Sequence, residues 1–328
     1  MAQVTPEAVM RVAMGFMAAK HLFVASQIGL FEALAAGPAT LDEIAGRLNV
    51  PRRTLRISAD AMVSLGFLER RGEQYANGET ATAFLSGRPG HDFRPMLRFF
   101  DRISYTAWLK LEDAVRSGKA QPRFGGFSPE EQQIFSAGVE SFTAPTATAL
   151  ASAYDFARHR RVVDVGGGTG SFLMAILRHH PGLKGTLFEL PGACAVARQR
   201  LAAEPEGARI DIVEGDFFKD RLPADHDAII VANTVHVLSA AHNLELLKQL
   251  RAGAAPGARL LLVDLWTDPT HTQPPAAPLM AGEFLVIAGE GQAYSEAEAD
   301  AWLQQSQWRK LEMKPLAGAS SLIVAEAV

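Results

Sequence analysis

The sequence predicts an α/β protein whose second half contains a buried, largely parallel sheet, preceded by a mostly helical domain. From Arg161 onward, short apolar β-type runs such as 162–165 and 228–232 alternate with helical stretches. Continuous apolar strands of this kind are typical of parallel sheets that are covered on both faces. Before them, apolar residues recur at spacings of three and four between Pro6 and Leu34, which indicates a long helical region.

The N-terminal region has the pattern of a winged helix. Thr40 and Glu43 form a predicted capping box that starts one helix, a second helix is predicted over Arg53–Leu65, and residues 66–75 read as a hairpin. The helical region over residues 6–34 carries more apolar side chains than one narrow stripe needs. We therefore expect it to present a face to a second subunit.

The 328 residues suffice for two cores, and we predict three segments. Residues 1–90 form a winged-helix-like dimerisation domain, residues 91–155 a helical connector that contributes to a substrate pocket, and residues 156–328 the nucleotide-binding domain. Most aromatic side chains of the connector will pack in cores. The candidates for an apolar acceptor pocket are Phe99, Phe100, Trp108, Phe135 and Met280. The proline-rich stretch Asp268–Pro278 is predicted as a surface loop.

Composition restricts the class of protein further. A formal net charge of −4 gives no electrostatic reason to expect a nucleic-acid partner. Four arginines on or beside the second helix nevertheless leave a winged-helix DNA-binding regulator as an alternative: Arg47, Arg52, Arg53 and Arg56. With Cys194 as the single cysteine, a disulfide framework is excluded and a cytoplasmic protein is expected. We find no signal-peptide pattern and no uninterrupted apolar run of the roughly 18 to 20 residues that span a bilayer.

The most informative segment is the glycine-rich run at 164–170. A strand with an internal acid, Asp164, ends at Val165, and Gly166, Gly168 and Gly170 precede a helix that begins near Ser171. Glycines allow a close approach to a ligand, and the helix N-terminus offers unpaired N–H groups. A dinucleotide fingerprint would place its third glycine one residue later, which disfavours a nicotinamide-dependent oxidoreductase. The spacing is that of methyltransferase motif I, which binds S-adenosylmethionine (SAM).

Two further acids follow successive strands of the predicted sheet. Glu189 ends the second strand, where a carboxylate can accept hydrogen bonds from ribose hydroxyls. Asp216 and Phe217 close the third strand and are suited to an adenine amino group and ring. The carboxyl ends of parallel strands meet at one edge of a sheet, where ligands of open α/β folds bind. His179, His180, His236 and Asp264 show no metal-ligand spacing, so we predict no metal site.

With these motifs, the sequence resembles the small-molecule O-methyltransferases of the caffeate and hydroxyindole type, which carry an N-terminal winged-helix dimerisation domain. The resemblance covers nearly the whole chain and includes D-V-G-G-G-T-G at 164–170, F-E-L-P at 188–191, G-D-F-F at 215–218 and G-A-R-L-L-L-V-D at 257–264. It implies a Rossmann-like methyltransferase domain and a homodimer with intertwined N-terminal helices. The residues predicted to bind SAM are Asp164, Gly166, Gly168, Glu189, Asp216, Phe217 and Asn233.

The resemblance also implies catalytic residues. His236 falls on the position of the family's general base, and Asp264 falls on an acid that orients this base. The chain departs from the family where Val237 and Leu238 replace an Asp-Trp pair, and where Ala293 replaces a second acid. A lysine that often lies on the adenine corresponds to Ala232.

The predicted function is SAM-dependent methylation of a hydroxyl group on a small aromatic or polyketide-like acceptor, with His236 as the base. Histidine suits this role because its ordinary pKa of about 6.5 lies near neutral pH. The departures leave C-, N- or S-methylation, or chemistry without methyl transfer, as the alternative.

Overall fold

The computed structural model describes residues 5–88, 92–120, 123 and 126–328. The chain divides into two compact units: Met1–Tyr105 with Ala137–Phe142, and Thr106–Ser136 with Thr143–Val328. The predicted boundary between residues 90 and 91 lies outside the described residues. The predicted connector, 91–155, contributes residues to both units, and the three-segment division stays a prediction.

The first unit is mostly helical and contains one small sheet. Its helices are α1 (Glu7–Ala13), α2 (Gly15–Gln27), α3 (Leu30–Ala33), α4 (Leu41–Leu48), α5 (Arg52–Ser64), α6 (Glu79–Phe84) and α7 (Arg94–Phe99), and a π-helical turn covers Phe100–Ser104. Its strands are β1 (Ala39–Thr40), β2 (Leu68–Arg71) and β3 (Gln74–Asn77), in the order β1-β3-β2.

The predicted winged-helix arrangement is confirmed in this unit. Thr40 caps α4 through the predicted capping box, in which Thr40 N donates to Glu43 Oε2 at 2.6 Å. The β2–β3 hairpin pairs Arg71 with Gln74 across its tight turn. Strand β1 was not predicted, because two residues give no periodic signal. Gly29 separates α2 from α3 with a φ of +80°, which is a left-handed conformation favoured by glycine.

From Tyr105 onward, three consecutive helices precede a stretch in which strands and helices alternate. The helices are α8 (Tyr105–Trp108), α9 (Leu111–Ser117), α10 (Pro129–Ala153), α11 (Ser171–His179), α12 (Pro191–Leu201), α13 (Ala240–Gly253), α14 (Ala276–Ala288) and α15 (Glu296–Gln305), with 3-10 turns at Phe156–Arg158, Pro205–Arg209 and Val235–Val237. The strands are β4 (Arg161–Val165), β5 (Lys184–Glu189), β6 (Ile210–Glu214), β7 (Ala228–Ala232), β8 (Arg259–Thr267), β9 (Tyr294–Ser295), β10 (Trp308–Pro315) and β11 (Ser320–Ala327).

The second unit is built on one large sheet with the strand order β10-β11-β8-β7-β4-β5-β6. Strands β4 to β8 are parallel, whereas β10 and β11 add an antiparallel pair at the β8 side. The predicted, largely parallel sheet is therefore confirmed. Chain order reverses at β4, with β5 on one side and β7 on the other, and open α/β sheets bind ligands at such a reversal.

Two apolar clusters cover the two faces of this sheet. One contains Ile230 and Leu261 with helix α11, and the other contains Ile229 and Leu262 with helices α13 and α15. Neighbouring strand residues point to opposite faces, so both faces need apolar side chains. This explains the continuous apolar runs in the sequence.

Two sequence-based expectations concern the proline-rich loop before α14 and the apolar N-terminal stretch. The loop predicted over Asp268–Pro278 ends at Pro275, and residues 276–278 already belong to α14, since proline is tolerated in the first turn of a helix. The stretch Glu7–Gln27 is long and apolar enough to cross a membrane by length and composition. The sequence-based prediction concerned uninterrupted apolar runs, and Arg11 and Lys20 interrupt this stretch.

We expect Leu261→Ala to destabilise the second unit by about 2–5 kcal/mol, because Leu261 is fully buried in the central strand β8 and the substitution leaves a cavity. The matched control is Leu311→Ala on β10, since Leu311 is 44% exposed. All four tryptophans lie in the second unit, so urea unfolding followed by tryptophan fluorescence measures both variants. Equal losses in the two variants would contradict the prediction.

Candidate active site

A glycine-rich loop links β4 to α11. Gly166 and Gly168 have φ values of +70° and +58°, which favour glycine. A Cβ at position 166 would lie 3.0 Å from Thr234 Oγ1, so the glycine loop passes close to the segment that follows β7. Arg200 holds the far end of the loop by donating to Thr169 Oγ1 at 2.6 Å and to Ser171 Oγ at 2.7 Å. Sequence analysis did not find Arg200, which lies at the far end of helix α12.

Asp164 lies beneath this loop and is fully buried. Within the described part of the chain, neither of its carboxylate oxygens has a hydrogen-bond partner. A Cβ at Gly167 would lie 2.4 Å from the Asp164 carboxylate, so the loop packs directly on the acid. Burial, and secondarily the charge of Glu189, raises the pKa of Asp164 to about 8. The side chain is therefore mostly protonated at neutral pH.

Glu189 connects the end of β5 to the loop. Its Oε2 accepts a hydrogen bond from Gly168 N at 3.0 Å, and its Oε1 accepts one from Leu190 N at 2.7 Å. Its carbonyl oxygen accepts from Gly215 N at 3.0 Å, which ties the ends of β5 and β6 together. Burial also raises the pKa of Glu189. Each carboxylate oxygen retains a lone pair that can accept from a ligand hydroxyl.

Asp216 and Phe217 follow β6. The Asp216 carboxylate accepts from Phe218 N at 2.9 Å and from Lys219 Nζ at 2.7 Å, and these contacts, led by Lys219, lower its pKa. The Phe217 ring lies 3.7 Å from the Cβ position of Gly166, beside the glycine loop. Asn233, after β7, has a φ of +54° and donates its N–H to Val263 O. The predicted cofactor residues therefore lie at the carboxyl ends of four neighbouring strands.

His236 and Asp264 form a close pair at the same edge of the sheet. His236 Nδ1 lies 2.6 Å from Asp264 Oδ1, and His236 N donates to Asp264 Oδ2 at 3.2 Å. The aspartate is 1% exposed and also accepts from Leu265 N at 2.7 Å. An ionised acceptor at Nδ1 favours the tautomer that carries its proton there. The lone pair of the neutral imidazole is then on Nε2.

The turn that carries His236 is held by residues that sequence analysis missed. Asn243 Nδ2 donates to Val235 O at 2.9 Å, and the Tyr294 hydroxyl donates to Leu238 O at 2.6 Å. A Cβ at Gly291 would lie 2.2 Å from the His236 carbonyl oxygen, so the chain there packs directly on the turn. Tyr294 directly follows Ala293, which replaces the family's second acid, and a tyrosine at this position belongs to no motif named in the sequence.

The five candidates for an acceptor pocket fall in different units. Phe99 packs against Gly138 and Phe100 in the first unit, where a Cβ at position 138 would lie 2.5 Å from Phe99 Cβ. In the second unit, Phe135 lies against the ring of Phe127, and Trp108 Nε1 donates to Glu283 Oε2 at 2.5 Å. Met280 is half-buried on helix α14. The acceptor pocket stays a prediction.

The geometry at the sheet edge fits a nucleoside that carries a positive charge. The glycine loop permits a close approach, and the buried carboxyl groups of Asp164 and Glu189 have no basic side chain bonded to them in the described residues. A bound cation would favour the ionised forms of these two acids. Among the same described residues, no group of three or more His, Cys, Asp or Glu side chains is arranged to hold a metal ion.

Comparison with known proteins places the chain in a family. Residues 10–87 match the O-methyltransferase dimerisation domain, and residues 108–309 match the O-methyltransferase domain. The chain is 34% identical to the 3-hydroxy-5-methyl-1-naphthoate 3-O-methyltransferase of Streptomyces sahachiroi, over 90% of this chain and 87% of the relative. It is 28% identical to the tetracenomycin polyketide synthesis 8-O-methyl transferase TcmO of Streptomyces glaucescens, over 97% of this chain and 96% of the relative.

A solved structure supports the same conclusion. Human N-acetylserotonin methyltransferase in complex with SAM superposes with a TM-score of 0.90 at 26% identity, covering 99% of both chains. The predicted fold class and cofactor are thereby confirmed, and the dimerisation domain indicates a homodimer. The chain belongs to the O-methyltransferase family and is a SAM-dependent methyltransferase.

Proposed function

We propose that this enzyme methylates a hydroxyl group of a small aromatic or polyketide-type acceptor, with His236 as the general base. The observation that carries the base assignment is the 2.6 Å contact between His236 Nδ1 and the buried Asp264 carboxylate. The named acceptors of the two Streptomyces relatives, a hydroxynaphthoate and a tetracenomycin polyketide, support the acceptor class.

His236 is suited to accept the proton of a hydroxyl group. Asp264 fixes the ring from its Nδ1 side, so that Nε2 is the basic atom. A phenol has an ordinary pKa near 10 and is mostly protonated at neutral pH, so removal of its proton makes the oxygen a better nucleophile. The imidazolium that forms is stabilised by the neighbouring Asp264 carboxylate.

The cofactor is assigned to the loop and the strand ends. SAM, when bound, supplies an electrophilic methyl group on a positively charged sulfur. Glu189 would accept hydrogen bonds from the ribose hydroxyls, Phe217 would pack on the adenine, and the backbone at Gly166 and Gly168 would line the cofactor. Asp216 would accept from the adenine amino group with the lone pairs that its own turn leaves free.

We assign the dimer contact to an N-terminal apolar face, defined as Val9, Met10, Val12, Phe16 and Met17. These side chains lie on the consecutive helices α1 and α2. They are 48% to 78% exposed although they are apolar. Apolar residues concentrated in this way mark an interaction surface. The dimerisation-domain match covers most of these residues, so the occupant we assign is a second copy of this chain.

The proposed function is tested with methyl-labelled SAM and a panel of hydroxylated naphthoates and tetracyclic polyketides. We expect the label on a hydroxyl oxygen, located by the carbon chemical shift of the product. A label found on carbon, nitrogen or sulfur would contradict O-methylation and support the alternative.

We expect His236→Gln to lower kcat by about 100- to 10,000-fold, because it removes the base. Asp264→Asn should also lower kcat, since the amide can donate to Nδ1 and stabilise the wrong tautomer. The matched control is His242→Gln, because His242 also pairs with an acid but that pair is exposed. His242 Nδ1 lies 2.5 Å from Glu290 Oε1. Wild-type turnover in the His236 variant would refute the assignment, and steady-state assays at saturating SAM and acceptor measure kcat for all three variants.

Because the pKa of Asp164 is raised in the folded protein, we expect the free energy of unfolding to fall as the pH rises. Its pKa is about 8 in the folded protein and near 3.8 when unfolded, so the folded state holds the extra proton between these values. This contribution is fully present below pH 4 and is lost as the pH rises through 8. Between pH 6 and 8 the wild type should lose about 2 kcal/mol more than Asp164→Asn, which cannot ionise. Urea unfolding without cofactor measures this, and parallel curves for the two proteins would contradict it.

We expect the double substitution Val12→Asp and Phe16→Asp to yield monomers, because two charges would be buried in an apolar contact. Light scattering after size-exclusion chromatography measures the mass. Val115→Asp on α9 is the control, since Val115 is also an exposed valine, at 68%, but lies in the second unit. A double variant that keeps twice the chain mass would show that the contact lies elsewhere.

A further inference from the structure

An aromatic ring lies flat against the imidazole of His236. The ring centroids of Phe284 and His236 are 3.8 Å apart, and the two planes are inclined by 17°. Phe284 is buried, and the His236 side chain is 13% exposed. The imidazole is therefore held along one edge by Asp264 and over one face by Phe284.

Several packing contacts hold Phe284 and His236 together. Helix α14, which carries Phe284, packs against the Val235–Val237 turn and against β8. On the same helix, the Glu283 carboxylate accepts from Trp108, and a Cβ at Gly282 would lie 2.7 Å from the Trp108 ring. After the helix, Gly291 packs on the His236 carbonyl oxygen. These contacts, all within the second unit, hold the Phe284 ring against the imidazole of His236.

The charged groups around the imidazole are few. Asp264 on β8 is the only described acid within hydrogen-bond distance of the His236 ring, and Val237 and Ala293 supply no charge. Glu283 on α14 is bonded to Trp108, and Glu290 pairs with His242 of α13. Tyr294 stays neutral, because burial raises its pKa to about 12. Besides Asp264, the Phe284 ring lies directly against the imidazole, and its negative face favours a positive charge on His236.

We propose that Phe284 is a positioning residue for His236, whose stacked ring holds the imidazole plane and stabilises the imidazolium formed when Nε2 accepts the acceptor's proton. The proposal rests on the base role of His236 in the proposed function. A ring face stabilises a nearby cation, and leucine at the same position would keep the burial but lose this attraction. The effect corresponds to roughly 0.4 to 1.5 pH units in the midpoint of the imidazole titration.

The test compares Phe284→Leu, Phe284→Tyr and the matched control Phe156→Leu. Phe156 is likewise a buried phenylalanine of the second unit, and its ring contacts include His159 and His180 but not His236. The protein is labelled with carbon-13 at histidine Cε1 and titrated by NMR as the full-length dimer without acceptor. The His236 signal is identified among the nine histidines by its loss in His236→Gln.

We expect the midpoint of the His236 titration to fall by roughly 0.4 to 1.5 pH units in Phe284→Leu. It should stay at the wild-type value in Phe284→Tyr, which keeps the ring, and in Phe156→Leu. The acidic limb of the kcat/KM profile should move in parallel. A wild-type midpoint in Phe284→Leu, or an equal shift in Phe156→Leu, would overturn the proposal.

The same set of proteins separates this proposal from the proposed function. An active His236→Gln would refute the base role and, with it, the role of Phe284. An inactive His236→Gln with an unshifted Phe284→Leu titration would refute the role of Phe284 alone.

Discussion

Five parallel strands with apolar side chains on both faces determine where the residues of the candidate active site lie. Because β4 to β8 run in the same direction, their carboxyl ends meet at one edge of the sheet. Residues that are far apart in sequence become neighbours there: Gly168 bonds to Glu189, and His236 bonds to Asp264. The loops at this edge can vary in sequence without loss of the sheet, since the two apolar clusters hold the strands.

This constraint explains what could be predicted from sequence. Register pairs Ala232 of β7 with Val263 of β8, so an acid at 264 and a histidine shortly after 232 must lie close together. The Phe284 stack and the packing of Gly291 could not be predicted, because they depend on where α14 crosses the turn after β7. An apolar residue within an apolar helix gives no local signal for such a contact. The loop predicted over Asp268–Pro278 was too long for a related reason, since prolines occur in loops and in first helical turns alike.

The acids of the site show how burial and partners set their protonation. Asp164 is buried without a partner and has a raised pKa, whereas Asp216 is bonded to Lys219 and has a lowered one. Glu189 is buried but accepts two backbone hydrogen bonds, which partly offset the effect of burial on its pKa. A cation bound above the loop would favour the ionised forms of Asp164 and Glu189.

The same principle applies to the His236 side of the site. Every charge brought near the imidazole must be desolvated, and an uncompensated buried charge is costly. Asp264 avoids this cost by accepting three hydrogen bonds, two of them from backbone N–H groups. A second acid at position 293 would need partners of its own, but Ala293 is buried. A stacked ring requires no partner and stabilises a cation without adding a charge, so an aromatic face can replace a carboxylate where the surroundings are apolar.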